Sequence, residues 1–116
     1  MSDEIFLYLT TIGRKTGEPR HIEIWFAEYS GRYYMVSEGR QNAHWVKNIL
    51  HHPQVTFSVG TRADHEASLP STTARGRAID PDLEPEIAQE VRTRFDQKYQ
   101  WSEGLIMELT PEGLKL

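Results

Sequence analysis

Residues 13–20, GRKTGEPR, set Arg14, Lys15 and Arg20 around Gly13 and Gly17. Two glycines let the backbone reverse tightly and leave amide N–H groups pointing outward, and cations beside them add charge-assisted bonds to a phosphate or carboxylate. A solvated turn remains the plain alternative, since it needs only the glycines. The pattern lacks the GxxxxGK[ST] spacing that cradles nucleotide phosphates, so an ATPase reading is poor.

A second candidate follows in SEGRQNAHWVKN, residues 37–48. Ser37 and Gly39 end a strand-like run, Arg40 adds a cation, and the chain then enters a helix whose N-terminus favours anions. Trp45 and Asn48 are three residues apart, so an indole and an amide share one helix face. Simple core packing is the alternative for Trp45. Trp25, Tyr33, Tyr34, Tyr99 and Trp101 supply further amphipathic walls suited to a flat heterocycle. An anion turn together with such walls suggests a planar ligand with an acidic tail, the form of flavins and deazaflavins.

Other chemistries find little support. His51 and His52 are adjacent, so on a helix they diverge by about 100° and cannot chelate as an i, i+4 pair does. With no cysteine, no HExxH and no GxSxG, neither a metal site nor a nucleophile elbow is expected. The formal net charge of −4 opposes nucleic-acid binding. Yet the cations gather between Arg14 and Lys47 and the acids come later, which suits a small anion.

The elements that must position these groups are strand-rich. IFLYLTT (5–11), HIEIWFAEY (21–29) and RYYMVSE (32–38) read as a three-stranded meander, with Trp25 opposite the isoleucines. Asn42 is expected to cap a short helix with Val46, Ile49 and Leu50 as its stripe, ended by Pro53. QVTFSVG (54–60) is a strand, and ADHEASL and TTARGRAID form a hairpin around PSTT. Asp80 is expected to cap the longest helix, with Ile87, Val91, Phe95 and Tyr99 buried, before the last strand GLIMELT. The order β-β-β-α-β-β-β-α-β predicts a mainly β protein with accessory helices, closed as an antiparallel barrel to remove edges. Its 116 residues predict one domain, 1–116. The acidic start and short apolar run exclude a signal peptide or membrane span, and the missing cysteines fit a soluble cytoplasmic protein.

LTTIGRKTGEPRHIEIWF, followed by YYMVSEGRQNAHWVKNILHHPQVTFSV, resembles the deazaflavin (F420)-dependent nitroreductase and quinone reductase family, within the flavin and deazaflavin oxidoreductases. The resemblance is strong over residues 7 to about 60 and weaker through FDQKYQWSEGLIMELTP. It implies a split β-barrel of the FMN-binding type, and coenzyme F420 or, in related branches, FMN. Carried over by position, Arg14, Lys15 and Arg20 would hold the phosphate and acidic tail. Ser37, Gly39 and Arg40 would face the ring, and Trp25, Trp45 and Asn48 would line the groove. Ser37 and Tyr99 would be the catalytic candidates, with Tyr99 near the substrate. At two places the chain departs from the family pattern: Ser37-Glu38-Gly39-Arg40 stands where Ser-Lys-Gly-Gly is common, and Trp25 where a tyrosine is.

The implied function is hydride transfer from reduced F420 to a small electron acceptor, a nitroaromatic, quinone or enone, by a homodimer that binds no nucleic acid and enters no membrane. An FMN-dependent reductase, a non-catalytic flavin carrier and a binding module without a redox ligand are the alternatives.

Overall fold

A computed structural model describes residues 5–61 and 71–112. Among these residues seven strands and two helices follow in order: β1 (Phe6–Ile12), β2 (Pro19–Ile24), β3 (Ala27–Tyr29), β4 (Arg32–Ser37), α1 (His44–His51), β5 (Gln54–Gly60), β6 (Thr72–Ile79), α2 (Pro85–Tyr99) and β7 (Leu105–Pro111). A 3-10 turn at Arg40–Asn42 precedes α1.

Alternation builds the sheet. In β1, Leu7 and Leu9 are fully buried and face Ile24 and Ile22 of β2 on one side, Val59 and Phe57 of β5 on the other. The same face continues through Val55, Ala74, Leu109, Met107 and Met35, and α1 closes it with Val46 and Ile49. The opposite face carries Tyr34, Val36, Ile79 and Ile106, and α2 covers it with Ala88, Val91 and Phe95. Strands β4, β6 and β7 thus feed both cores, because successive side chains point to opposite faces.

The expected barrel is not formed. All ladders are antiparallel in the order β2-β1-β5-β6-β7-β4-β3, and the terminal strands β2 and β3 are not paired with each other. The protein is a mixed α/β sheet fold with accessory helices and an open sheet, rather than a split β-barrel. The reason lies in segment 21–29, which does not run as one strand. Trp25 and Phe26 interrupt it, so its first half pairs with β1 and its second half with β4. Only those two residues join the edges, and so short a link forces the sheet to curl until both edges meet at one corner. Pro19, Arg20 and Glu23 on β2 suit an unpaired edge.

Smaller differences concern helix starts. Ala43 rather than Asn42 precedes α1 as its cap residue, because Asn42 is taken up in the 3-10 turn. Asp80 caps an earlier turn, accepting from the Asp82 N–H at 2.9 Å, and α2 begins only at Pro85 after Glu84. The ADHEASL strand lies outside the described residues.

Candidate functional site

The β1–β2 turn is built by its own backbone. Gly13 N–H donates to the Glu18 carbonyl at 2.7 Å and Gly17 N–H to the Gly13 carbonyl at 2.8 Å. Gly17 adopts φ +74°, where a side chain would be strained. Glu18 N–H donates to Thr16 Oγ1 and Arg14 N–H to Asn48 Oδ1. These four amides are therefore not the outward-pointing anion cradle that the glycines suggested. Gly13 has a second role: a Cβ there would lie 3.0 Å from Thr16 Oγ1 and 3.2 Å from the Glu18 carbonyl oxygen, so its absence lets the turn close tightly on itself.

Helix α1 packs beside this turn. Val46 and Ile49 bury one side of it, which leaves His44, Trp45 and Asn48 directed at Gly13–Thr16 and the start of β2. Between them lies a cleft of about 730 Å³, within the range of small-molecule sites. Arg14, Lys15 and Arg20 line it with His21 and His44, and among the described residues no aspartate or glutamate does. Among the described residues no ion pair neutralises these three cations. Trp45, half-buried against the core, makes the apolar wall. An electropositive cleft with one indole wall can hold a flat group that carries a negatively charged extension.

The structure thus gathers Arg14, Lys15, Arg20, Trp45 and Asn48 of the sequence-predicted residues. The others lie elsewhere. Ser37 is buried at the end of β4 and donates to the Arg40 carbonyl at 3.1 Å, and Gly39 and Arg40 form the turn above it. Trp25 is exposed and stacks on Tyr99 at 4.3 Å and 3° from parallel. The Tyr99 hydroxyl accepts from Phe26 N–H at 3.2 Å and donates to the Phe26 carbonyl at 3.0 Å, so α2 grips the corner between β2 and β3.

Sequence reasoning missed His44. Among the described residues there is no cluster of groups that could hold a metal, and His44 lies instead against Arg14, its Nδ1 3.3 Å from a guanidinium nitrogen. It also missed a buried charge under α2. Glu108 accepts from the Tyr34 hydroxyl at 2.7 Å and from Arg77 Nε at 2.7 Å, while Arg77 forks onto Glu84 at 2.7 and 2.9 Å. Burial and the Glu108 carboxylate push the Tyr34 phenol far above its ordinary range. The hydrogen bonds from Arg77 hold the Glu84 carboxyl below its ordinary value. A lone glutamate in the apolar run LIMELT was the available signal.

The model of the F420H(2)-dependent quinone reductase family matches residues 2–100. The chain belongs to that family. It is an F420/flavin-binding oxidoreductase that acts on a small quinone-like acceptor, with an F420-type deazaflavin as cofactor. A search of curated proteins returns no match. Among solved structures, the chain resembles HutZ, the heme storage protein of Vibrio cholerae, at 16% identity and TM-score 0.72, covering 94% of this chain and 82% of that one. An F420 reductase matches at 18% identity and TM-score 0.59, over 94% of this chain and 87% of the other. The F420-H2-dependent reductase FDR-A matches at 22% identity and TM-score 0.53, over 90% and 92%. These likenesses bear on the fold. For the family's cofactor, the cleft's own chemistry is the test, and cations without acids beside an indole fit a ring with an acidic tail.

Proposed function

We propose that the cleft between the β1–β2 turn and α1 holds the phosphate and acidic tail of F420, with Lys15 and Arg20 as the principal cations and Trp45 against the ring system. The observation that carries this reading is the convergence of Arg14, Lys15 and Arg20 on one cleft that no described carboxylate lines. Reduced F420 supplies the hydride, which a quinone, nitroaromatic or enone accepts. The chain's part is to bind and orient. Lys15 and Arg20 fix the tail by charge-assisted hydrogen bonds, and Trp45 excludes water from one side of the ring. Ser37 and Tyr99, whose hydroxyls are engaged by backbone groups, act in this reading on the shape of the surroundings.

The same reading makes the protein a cytoplasmic, one-domain enzyme. The lack of cysteine fits a reducing compartment, and no described helix is long and apolar enough to cross a membrane. The net charge of −4 disfavours nucleic acid as a partner. The unpaired edges of β2 and β3 offer surfaces through which two copies can associate as a homodimer.

The test is a titration with F420 and, separately, FMN, read by tryptophan quenching, followed by turnover of reduced F420 with a quinone. Micromolar F420 binding, weaker FMN binding and quinone-dependent oxidation are expected. A preference for FMN moves the protein to an FMN-dependent branch, and binding of neither overturns the assignment of the cleft.

A further inference from the structure

We propose that His44 and Asn48 are positioning residues that grip Arg14 and present its guanidinium, already oriented, to the anionic part of the cofactor. The proposal rests on the cleft reading above.

His44 and Asn48 are four residues apart on α1, so both face the turn one above the other. Asn48 Oδ1 accepts from Arg14 Nη1 at 3.0 Å and from the Arg14 backbone N–H at 3.3 Å. His44 Nδ1 lies 3.3 Å from Arg14 Nη2. A guanidinium can only donate, so in this contact His44 Nδ1 is the acceptor. Each terminal nitrogen of one guanidinium is thereby held by a different residue of the same helix. Neither partner is an anion. Arg14 keeps its full charge and its remaining N–H groups, and only its freedom is removed.

Asn48 itself has little left to offer a ligand. It is buried at 4% exposure, both contacts to Arg14 use its carbonyl oxygen, and its amide donates to Thr11 Oγ1 at 3.2 Å. Thr11 is likewise buried at the end of β1. Asn48 therefore ties the strand, the turn and the helix together at one point, and its influence on the cofactor runs through Arg14. Ordering a long flexible cation before binding removes an entropic cost that would otherwise weaken the complex.

The experiment is a double-mutant cycle on F420 affinity at pH 8, read by tryptophan quenching, with thermal melting of each variant. The variants are Arg14→Ala, Asn48→Ala, His44→Val, and Arg14→Ala combined with each of the other two. Arg14→Ala and Asn48→Ala are each expected to weaken F420 binding about tenfold or more, and His44→Val about threefold to fivefold. In the Arg14→Ala background the second substitution should cost nothing further. Loss of packing alone would persist in that background, so the cycle separates positioning from a structural role. His44 is exposed, so its arm of the cycle decides the matter even where Asn48→Ala fails to fold. Additive losses would overturn the proposal by making His44 or Asn48 a direct ligand contact. Unchanged affinity in Arg14→Ala would overturn it too. In that event, weakened binding in Lys15→Ala/Arg20→Ala leaves the cleft reading standing, and unchanged binding removes both.

Discussion

The phenol ring of Tyr99 lies parallel to the indole of Trp25 at 4.3 Å, while its hydroxyl bonds both backbone groups of Phe26. The last turn of α2 therefore holds the corner where β2 gives way to β3. Tyr99→Phe keeps the stack and removes the hydroxyl. It should lower stability by about 1 kcal/mol in urea unfolding. Tyr99→Ala also loses the ring pair and its packing and should cost about 2 kcal/mol more. Equal losses in the two variants would mean that the stack contributes nothing.

Gly104 sits where β7 begins, at φ +144°, and a Cβ there would lie 2.2 Å from the Ser37 carbonyl oxygen. That neighbour is backbone and cannot swing away. Gly104→Ala should destabilise by at least about 3 kcal/mol through both overlap and conformation. Gly17 has φ +74° with open space around it, so Gly17→Ala should cost only about 1 kcal/mol. Urea melts of the two variants test the ordering.

The Arg77–Glu84 pair predicts a pH signature. Arg77 hydrogen bonds depress the Glu84 pKa, so its stabilisation is present above the unfolded-state value, about 4.3 for glutamate, and is lost as pH falls through the lower folded-state value. Glu84→Gln should be less stable than the parent at neutral pH, with the difference closing in acid. Tyr34 has the opposite sign. Its raised pKa stabilises below about pH 10, and that contribution is lost as pH rises through the folded-state value. Tyr34→Phe should flatten the alkaline limb of the same stability profile.

Much of this fold was legible because its cores follow simple periods. Leu7 and Leu9, Val55 and Phe57, and the stripe Ile87–Val91–Phe95 all occupy the faces that alternation or helical spacing assigns them. The break at Trp25 and Phe26 was not legible, since alternation continues across it: Phe26 still enters one core and Ala27 the other. A bend that preserves face order leaves the polarity pattern unchanged, and that bend is what leaves the sheet open. Asp80 was misplaced because aspartate serves a local turn as readily as a helix start. In the cleft, Arg14, Lys15 and Arg20 were visible from charge around a turn. The grip of His44 on Arg14 spans thirty residues of sequence and exists only once α1 has packed. Glu108 escaped for the same reason, its partners Tyr34 and Arg77 being supplied by two other strands.

The central claim is that Lys15 and Arg20 hold the anionic part of F420. The most direct measurement is the F420 dissociation constant of Lys15→Ala/Arg20→Ala beside the parent, with thermal melting of both. Each lost charged hydrogen bond should cost about 1.5–3 kcal/mol of binding, so affinity should fall a hundredfold or more while the melting temperature stays close to the parent's. Unchanged affinity in a folded double variant would contradict the account and put the cofactor elsewhere on the protein.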